Sequence, residues 1–482
     1  MSAFFQRLFA LERGDCLIEA ARTTGYADLR ARVDAMEALL LRCAVAPDAV
    51  VALVCEETTA TLMLLLALLR RGNIAVPLPA DGRETRAERL TEACADWLFT
   101  RADEAGLQRL TPRDKPSLIK DLQETGQAGL IVFSSGTGGK VKAALHRFDR
   151  LVDRYGDKPI GDKPIGDKPI GDKPIGDKPI GDKPIGDKLI GDRTNQRPGL
   201  RTPAFLKLDH IGGLDTLFRL LHGGGTLILG CPRTPEAVCR LIETHRVTLL
   251  PTTATFLNMI LISRADRNHD LSSLRLIAYG SEPMPPALLE QARRRLPNVR
   301  FLQKYGLTEL GVLETRPGDT DSTWFQITGR TQFKIVDGVL WLKRNDTMLG
   351  YLNAPNPFDA DGWYNTGDLV ERRDGLLRIK GRSNRIINVA GEKVNPFEVE
   401  SVLREIPNVS DALVWGKKSA VTGWIVAATL ELQQQEDRRE LQQRVAEFCR
   451  HRLEPYKVPL LIHIAREGLM GDRLKKTGSV AR

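Results

Sequence analysis

Short apolar runs alternate with longer helical patterns along the first 150 residues of the chain. Residues 50–55 (VVALVC) form one apolar run, residues 62–70 form a longer stretch with the length of a helix, and residues 74–77 form a second run. Strands that are joined through a helix pair in parallel, and parallel sheets are covered by helices. The alternation resumes beyond residue 220, so we predict an α/β fold with parallel-rich sheets covered by helices. The other predicted elements of this region are a helix at 26–41 and strands at 224–229, 248–251, 274–279 and 300–304.

A different pattern covers the end of the chain. Alternating polar and apolar positions at 412–415 and 424–430 predict strands, and residues 440–453 have the spacing of an amphipathic helix. A stretch of about 100 residues is an ordinary size for a domain. We therefore predict a large domain over residues 1–381 and a small α+β C-terminal domain over residues 382–482.

A perfect repeat lies between the two halves of the predicted large domain. Six GDKPI units occupy residues 156–185, and GDKLI and GDR follow them. Each unit contains Gly and Pro and offers a single apolar side chain, so the repeat can build neither a helix nor a core. We predict a disordered, solvated loop over residues 156–193, inserted by tandem duplication where the chain tolerates extra length. An array that binds a partner is the alternative.

The composition is that of a soluble globular protein, with 42% hydrophobic residues, 27% charged residues and a net charge of +9. Basic and acidic residues are mixed along the chain, so no basic stripe indicates binding to nucleic acid. The longest apolar run, at 62–69, is far shorter than the ~20 residues that a membrane span needs, so we expect no membrane insertion. The seven cysteines lack CxxC spacing and no secretory leader precedes them, which favours reduced thiols in a cytoplasmic protein.

A segment rich in glycine and hydroxyl groups, IVFSSGTGGKVKAALH at residues 131–146, is the first candidate for chemistry. Glycines let backbone N–H groups approach a phosphate chain, and hydroxyls and lysines add directed and diffuse positive potential. The segment lacks the GxxxxGK[ST] pattern of a Walker A loop. When it is considered alone, a flexible connector is an equally good interpretation.

Two strand-to-turn segments carry groups that suit a nucleotide. Tyr305 ends a predicted strand and offers a ring that can stack on a base, while Thr308 and Glu309 offer the oxygen atoms that Mg²⁺ prefers. Upstream, residues 279–283 (YGSEP) form a similar turn, where the backbone could border an adenine. Ordinary turns at a sheet edge are the alternative for both segments.

The most informative segment is 361–400. Asp368 is predicted in a Gly-containing turn, and Arg382 follows after a predicted strand at 376–379. An Asp can accept from both hydroxyls of a ribose, and an Arg beside it can pair with the same sugar or its phosphate. A Gly-bearing loop at 389–391 then precedes a helical pattern. The segment predicts a nucleotide site at a joint between two domains.

Taken together and in this order, the motifs resemble the acyl-adenylate-forming superfamily, which includes acyl-CoA and aryl-CoA synthetases, the adenylation domains of peptide synthetases, and luciferase. The resemblance extends from the GYADLRARVDAMEALL opening to the C-terminal helix and excludes the GDKPI insert. Several motifs in a fixed order are far more specific than any one of them. The resemblance implies ATP, Mg²⁺ and coenzyme A, or the pantetheine of a carrier protein, and a mobile C-terminal domain.

The resemblance also implies roles for individual residues of the glycine-rich segment. SSGTGGKVK matches the family's phosphate loop, with Lys142 at the position of its lysine. Gly138 stands where the family usually has a second Thr, and Val141 where it usually has Pro. These departures weaken hydroxyl contacts to phosphate and keep the flexible frame. The residues assigned to this loop are Ser134, Ser135, Gly136, Thr137, Gly138, Gly139 and Lys140.

The remaining positions follow the family in the same way. The 280–283 turn and Tyr305 would hold adenine, while Thr308 and Glu309 would hold a phosphate oxygen and Mg²⁺. Asp368 and Arg382 would hold the ribose. The assigned cofactor-binding residues are Gly280, Ser281, Glu282, Pro283, Tyr305, Gly306, Asp368, Arg382 and Lys393. Further assignments are His210 at the mouth of the acyl pocket, Asn384 at the hinge, and Val389, Ala390 and Gly391 along the thiol channel.

The C-terminal tail departs from the family. The usual ending is similar to PKTxSGKxxR, whose second Lys reaches the α-phosphate during adenylation, whereas this chain ends in DRLKKTGSVAR. A gap-free match puts Ser479 at that position, and a hydroxyl cannot replace an ammonium group opposite developing negative charge. In a shortened register, Lys475 or Lys476 would reach instead. A degenerate nucleotide-binding homologue that lacks catalysis is therefore an alternative.

The resemblance implies a ligase that activates a carboxylic acid as its adenylate and passes it to coenzyme A. Peptide-synthetase domains carry an Asp near the pocket for an amino group; here His210 takes that position, although Asp209 is adjacent. An uncharged lining favours a fatty or aryl acid over an amino acid. Loading of an acyl carrier protein is the alternative, which a basic surface would suit. The expected uncharged lining is Ile211, Gly212, Gly213, Thr253, Ala254 and Phe256.

Overall fold

The chain forms two compact units, one of Met1–Gly230 with Asp346–Ala354 and one of Cys231–Asn345 with Pro355–Arg482. A computed structural model describes residues 2–81, 83–135, 140–155, 199–318, 323–419, 423–465 and 469. The domain boundary that the sequence predicts between residues 381 and 382 lies inside the second unit and stays a prediction. The predicted insert loop at 156–193 lies outside the described residues.

Helices occupy the long apolar and amphipathic stretches of both units. The predicted helix at 26–41 is confirmed as α2, and the apolar stretch at 62–70 is the body of α3. The Thr58 hydroxyl accepts a hydrogen bond from the Thr61 amide at the start of α3, and Gly72, with φ at +94°, ends it. The helices are α1 (Ala3–Phe9), α2 (Tyr26–Arg42), α3 (Thr59–Arg71), α4 (Arg83–Glu92), α5 (Ser117–Glu124), α6 (Phe148–Val152), α7 (Ile211–His222), α8 (Pro235–His245), α9 (Ala254–Ser263), α10 (Ala265–Asn268), α11 (Pro286–Arg295), α12 (Pro396–Leu403) and α13 (Arg438–Arg450).

Strands occupy the short apolar runs and the alternating segments. In the first unit and up to the middle of the second, they are β1 (Asp15–Glu19), β2 (Arg22–Gly25), β3 (Val50–Cys55), β4 (Ile74–Pro79), β5 (Trp97–Phe99), β6 (Leu107–Arg109), β7 (Gly129–Ser135), β8 (Val141–Arg147), β9 (Arg201–Pro203), β10 (Thr226–Ile228), β11 (Leu249–Thr252), β12 (Leu276–Tyr279), β13 (Arg300–Gln303), β14 (Gly306–Leu307) and β15 (Gly311–Val312). The remaining strands are β16 (Thr315–Pro317), β17 (Phe325–Ile327), β18 (Gln332–Val336), β19 (Val339–Lys343), β20 (Gly350–Tyr351), β21 (Tyr364–Arg373), β22 (Leu376–Arg382), β23 (Ile387–Val389), β24 (Glu392–Val394), β25 (Val409–Ser419), β26 (Gly423–Leu432) and β27 (Leu461–Ile464).

The first unit is built around a seven-stranded sheet with the order β20-β8-β7-β4-β3-β5-β6. Its central strands β7, β4, β3 and β5 are parallel, as the sequence predicts. Alternate residues of β3 belong to two separate cores, because successive side chains of a strand point to opposite faces. Val51 and Leu53 pack with the leucines of α3, and Val50 and Ala52 pack with the core on the other face.

The second unit contains a parallel sheet of β11, β12 and β13 and a six-stranded antiparallel sheet with the order β16-β17-β22-β21-β19-β18. Tyr279 lies opposite Gln303 in the parallel sheet, so the turns that follow β12 and β13 emerge side by side. A third sheet, β25-β26-β27, packs with α12 and α13 around its own core. The α/β fold class is confirmed, whereas the antiparallel sheet was not predicted from the sequence.

Among the described residues, no helix combines the length and the apolar character that crossing a membrane requires. The seven cysteines all lie in described segments, and none forms a disulfide.

Candidate active site

A cavity of about 250 Å³ lies within the second unit. Its lining comes from three parts of the chain, residues 254–306, 368–385 and 395–411. The cavity brings together candidates from Ser281 to Arg382, because the ends of β12, β13 and β22 converge on it. The sequence-predicted residues that line it are Ser281, Glu282, Pro283, Tyr305, Gly306, Asp368 and Arg382.

Asp368 and Arg382 face each other across the antiparallel pair β21 and β22. The Arg382 guanidinium forms an ion pair with Asp368, with Nε 2.9 Å from Oδ1, and donates a hydrogen bond through Nη1 to the Thr366 carbonyl at 2.8 Å. Asp368 lies within β21, next to an irregularity in its register, and not in a turn as the sequence pattern predicted. The preceding residue, Gly367, does have the positive φ, +69°, that is typical of a glycine in a turn.

The Tyr305 hydroxyl donates to the other oxygen, Asp368 Oδ2, at 2.5 Å. Burial raises the pKa of Tyr305, and the neighbouring Asp368 charge raises this pKa further. Burial also raises the pKa of Asp368, while Arg382 and the Tyr305 hydrogen bond act in the opposite direction. A carboxylate has about four lone-pair sites, so Asp368 keeps acceptor capacity for the hydroxyls of a ribose.

The turn after β12 is held in a conformation that an ordinary residue rarely adopts. Ser281 has φ of +70°, and a Cβ on Gly280 would lie 2.7 Å from the Lys304 carbonyl oxygen. Such backbone strain costs about 1–3 kcal/mol and is concentrated at functional sites. Glu282 fixes the turn, because its two carboxylate oxygens accept from the Thr255 amide and hydroxyl at 2.5 and 2.8 Å. Glu282 therefore caps the first turn of α9 at the cavity wall.

Thr308 and Glu309 lie in the turn between β14 and β15 and are not among the residues that line the cavity. Glu309 is buried. A hydroxyl and a carboxylate oxygen are suitable donors for Mg²⁺, which usually takes one or two protein ligands and keeps several waters. Among the described residues, no group of three or more His, Cys, Asp or Glu side chains is placed to hold a metal ion.

Four charged residues that line the cavity were not predicted from the sequence: Arg385, Glu400, Arg404 and Asp411. Arg404 donates through Nε to Asp411 Oδ1 at 2.9 Å and lies 3.4 Å from Glu400, one helical turn earlier. Glu400 also accepts from Arg385 at 3.3 Å. The i,i+4 spacing of Glu400 and Arg404 is the one local signal that could have identified them.

This charged cluster is next to α9 of the same unit. The Asn258 amide donates to the Ser410 carbonyl at 2.8 Å, which joins α9 to β25. Burial lowers the pKa of Arg404, but the charges of Asp411, Glu400 and, more weakly, Glu282 are among the effects that raise it, and the net shift is upward. The two walls of the cavity therefore interact through a hydrogen bond and through charge.

The predicted phosphate loop belongs to the first unit. β7 and β8 form a hairpin in which Ser134 pairs with Lys142, and Lys140 is exposed. The Lys142 ammonium lies 5.1 Å from the centre of the Tyr351 ring. Gly136, Thr137, Gly138 and Gly139 lie outside the described residues, as does the side chain of Ser135.

His210 is at the N-cap of α7, also in the first unit. Its Nε2 lies 3.7 Å from Asp209 Oδ2. Of the expected uncharged lining, Ile211, Gly212 and Gly213 start α7, whereas Thr253, Ala254 and Phe256 belong to the second unit. Ala254 lines the cavity described above.

The predicted hinge and thiol-channel residues lie near the start of the predicted small domain. Asn384 is exposed in a short 3₁₀ turn, Ser383–Arg385. Ala390 and Gly391 both have positive φ, +50° and +96°, and form the tight turn of the β23–β24 hairpin. Lys393 is exposed in β24. Lys475, Lys476 and Ser479 lie outside the described residues.

Comparison with known proteins assigns the family. Residues 12–352 match the family model for the AMP-binding enzyme, and residues 398–479 match that for the AMP-binding enzyme C-terminal domain. The chain therefore belongs to the AMP-binding enzyme family.

Curated relatives match part of the chain. A 2-succinylbenzoate–CoA ligase of Bacillus licheniformis is 33% identical over 294 residues, which are 57% of this chain and 58% of the relative. A long-chain-fatty-acid–CoA ligase of Escherichia coli O6:H1 is 30% identical, over 54% of this chain and 50% of the relative. A medium/long-chain-fatty-acid–[acyl-carrier-protein] ligase of Mycobacterium tuberculosis, FadD10, is 30% identical, over 56% of this chain and 55% of the relative. The chain thus spans about half the length of the curated relatives it matches.

Solved structures share the fold over almost the whole chain. The anthranilate CoA ligase AuaEII in complex with anthranoyl-AMP matches with a TM-score of 0.77 and 21% identity, over 98% of this chain and 94% of that one. E. coli MenE with bound OSB-AMS matches with a TM-score of 0.71 and 20% identity, over 96% and 94%. At this level of identity the likeness establishes the fold, a mixed α/β arrangement with a large N-terminal and a smaller C-terminal domain.

Proposed function

We propose that this protein uses ATP to activate a carboxylic acid as its acyl-adenylate, and then transfers the acyl group to a thiol. One observation carries the proposal: residues from separate parts of the chain, each predicted from the sequence to bind a nucleotide, line a single cavity. The 281–283 turn, Tyr305, Asp368 and Arg382 meet there. The family assignment and the ligase activities named for the relatives support the same reaction.

The first step joins the acid to the nucleotide. An oxygen of the acid's carboxylate attacks the α-phosphorus of ATP, a new P–O bond forms, and the bond to the bridging oxygen breaks. Pyrophosphate leaves with the electron pair of that bond. Two anions must approach each other, so the protein's task is mainly positioning and offsetting negative charge.

Residues at the cavity and residues predicted from the family motifs would share this task. Asp368 accepts from the ribose hydroxyls, and Arg382 holds the carboxylate of Asp368 in place through the 2.9 Å pair. The ring of Tyr305, tied to Asp368 through its hydroxyl, packs against the base. Lys142 and either Lys475 or Lys476 would offset charge on the phosphates. Mg²⁺, when bound by Thr308 and Glu309, would neutralise phosphate oxygens.

The second step releases the acyl group. A thiolate sulfur attacks the carbonyl carbon of the adenylate, a C–S bond forms, and the bond to the phosphate oxygen breaks, so that AMP leaves. The thiol gives its proton to solvent or base. A turn of the small domain about Asn384 would bring the 389–391 loop to the thiol channel.

The acid class is tested by pyrophosphate exchange with a panel of fatty, aryl and amino acids. An apolar fatty or aryl acid should support exchange, because the expected pocket lining carries no charge apart from His210 and Asp209. Exchange with an amino acid only would contradict the assignment of the pocket. A protein that binds ATP but exchanges with no acid would match the degenerate alternative, which the departures at Gly138, Val141 and Ser479 support.

The acceptor is tested by mass spectrometry of the reaction with coenzyme A or with a pantetheinylated carrier protein. We expect acyl-CoA, since two of the relatives are named as CoA ligases. Product on the carrier alone would favour the alternative acceptor, in line with the FadD10 relative. The Lys475→Ala and Lys476→Ala variants identify the lysine that acts in the first step. Lys120→Ala, on the exposed surface of α5, is the control.

A further inference from the structure

Asp209 is a buried carboxylate whose charge is poorly compensated. Its side chain is 4% exposed, and its Oδ1 atom has no hydrogen-bond partner among the described residues. The other oxygen, Oδ2, lies 3.7 Å from Nε2 of His210, whose side chain is 33% exposed. This distance is longer than a hydrogen bond and short enough for strong attraction to a protonated imidazole.

Keeping a carboxylate at this position costs stability. An ionised group that is removed from water without full hydrogen bonding is unfavourable, and such groups in native structures usually have a specific reason. An asparagine would fill the same volume without the charge. The presence of Asp therefore indicates a role for its charge.

The backbone keeps Asp209 pointing inward. A Cβ on Gly213 would lie 2.2 Å from the Lys207 carbonyl oxygen, so the loop before α7 is packed directly against the first turn of that helix. The Leu214 amide donates to the His210 carbonyl at 3.0 Å, and the His210 amide donates to the Lys207 carbonyl at 3.3 Å. The loop therefore has little freedom to move the carboxylate into solvent.

Two other described groups near the pair are paired elsewhere or uncharged. The Lys207 ammonium is paired with Asp81 at 2.5 Å. Cys55, at the end of β3, has a pKa raised first by burial and then by the charge of Asp209, so it stays a neutral thiol. The partly exposed imidazole of His210 can gain a proton and remain in contact with solvent.

We propose that Asp209 is a positioning residue for His210: its buried charge orients the imidazole and favours the protonated ring, which then attracts the carboxylate of the acid substrate. The proposal rests on the proposed function, because the acid is the ligand that His210 would meet at the pocket mouth. It assigns to Asp209 an effect on the acid and not on ATP.

The test uses the full chain and the Asp209→Asn variant, with three measurements. In an NMR titration of ring-labelled histidine, with the His210 signal assigned from a His210→Gln variant, the titration midpoint of His210 should fall by about one pH unit in Asp209→Asn. In pyrophosphate exchange, the KM for the acid should rise severalfold and its pH dependence should shift to lower pH, with the KM for ATP unchanged. The thermal midpoint of Asp209→Asn should be equal to or above that of the wild type.

Asp215→Asn is the matched control. Asp215 lies on α7 as well, but its carboxylate is paired with the Tyr155 hydroxyl at 3.2 Å and with Arg219 at 3.5 Å. Its neutralisation should lower the thermal midpoint and leave the titration of His210 unchanged. Comparison of the two variants distinguishes the loss of a paired carboxylate in the protein interior from the loss of the charge beside His210.

An unchanged titration midpoint of His210 in Asp209→Asn would overturn the proposal. If the thermal midpoint of the variant is also lowered, the role of Asp209 is structural only. The NMR and thermal measurements need no activity. If no acid supports exchange in the wild type, the proposed function fails, and these two measurements still decide the role of Asp209.

Discussion

At the scale of single residues, the group of Tyr305, Asp368 and Arg382 defines the candidate site. Among the described residues, one oxygen of Asp368 accepts from the Tyr305 hydroxyl and the other pairs with the Arg382 guanidinium. Both partners come from the cavity wall, so the carboxylate is oriented before any ligand arrives. A preoriented acceptor loses little freedom on binding, which favours affinity.

Replacement of Tyr305 by Phe should separate the ring from its hydrogen bond. The variant leaves a buried carboxylate with one partner fewer, and a hydrogen bond to a charged group contributes about 1.5–3 kcal/mol. We expect the free energy of unfolding to fall by about 2 kcal/mol in urea titrations, while ATP still binds because the ring remains. Tyr456→Phe, in the 3₁₀ turn Pro455–Lys457, is the control. An unchanged stability of Tyr305→Phe would mean that the hydrogen bond has no role in holding the site.

The sequence identifies Asp368 and Arg382 because their spacing around a short strand allows both to reach one sugar, and the structure brings them together. It does not predict the bond from Tyr305 to Asp368, because these residues are 63 positions apart. Arg404 and Asp411 were missed for a related reason. Their pairing depends on how α12 packs against β25, which the local sequence does not indicate. The i,i+4 spacing of Glu400 and Arg404 is the one part of this cluster that the local sequence shows.

At the scale of elements, the first turn of α7 is a close contact that only glycine allows. A Cβ at Gly213 would meet the Lys207 backbone at 2.2 Å, whereas one at Gly212 would lie 3.7 Å from the Leu206 side chain. Gly213→Ala should destabilise the protein by roughly 1–3 kcal/mol or more, because backbone must move. Gly212→Ala, its matched control, should be neutral or stabilising by up to about 1 kcal/mol. Thermal unfolding checks both, and equal midpoints for the two variants would contradict the described packing.

A second feature at this scale is the clasp between α8 and the end of α10. His269 bonds to Glu243 at 2.8 Å and to Glu236 at 2.6 Å, and these two hydrogen bonds, that of Glu243 first, raise the pKa of His269. The hydrogen bond from His269 lowers the pKa of Glu243. The carboxylates are about half exposed, so solvent screens both pairs and their contribution to stability should be small.

The sign of the pH dependence follows from these directions. The contribution of a raised His pKa is complete below the unfolded value near 6.5 and is lost as the pH rises through the folded value. His269→Gln should therefore be less stable than the wild type at pH 6, and the two proteins should converge by pH 9. Urea unfolding at both pH values measures this, with His451→Gln, exposed after α13, as the control. A difference that grows between pH 6 and pH 9 would show that the charged clasp is not the cause.

Elements with a strong local pattern were predictable. The apolar run at 50–55 matches β3 to the residue, and the amphipathic spacing at 440–453 matches α13 to within three residues at each end. The antiparallel sheet of the second unit was not predicted, because several of its strands are three residues long or carry mixed burial patterns. Short strands of this kind form only when neighbouring strands pair with them.

At the scale of the whole molecule, the chain crosses between its compact units more often than the sequence suggests. Residues 346–354 return to the first unit, where Gly350 of β20 pairs with Leu145 of β8. A contact between positions 205 residues apart leaves no local signal. The order of motifs predicted the family and the fold, while the path of the chain between the units required the structure.

The central claim is that the cavity around Asp368 binds the nucleotide of an acid-activating reaction. Acid-dependent exchange of labelled pyrophosphate into ATP, measured for the wild type and for Asp368→Ala, tests it most directly. We predict exchange in the wild type with a fatty or aryl acid, and a loss of about 100-fold or more in Asp368→Ala, equal to about 2.7 kcal/mol. Exchange that is absent with every acid, or that is equally fast in Asp368→Ala, would contradict the account.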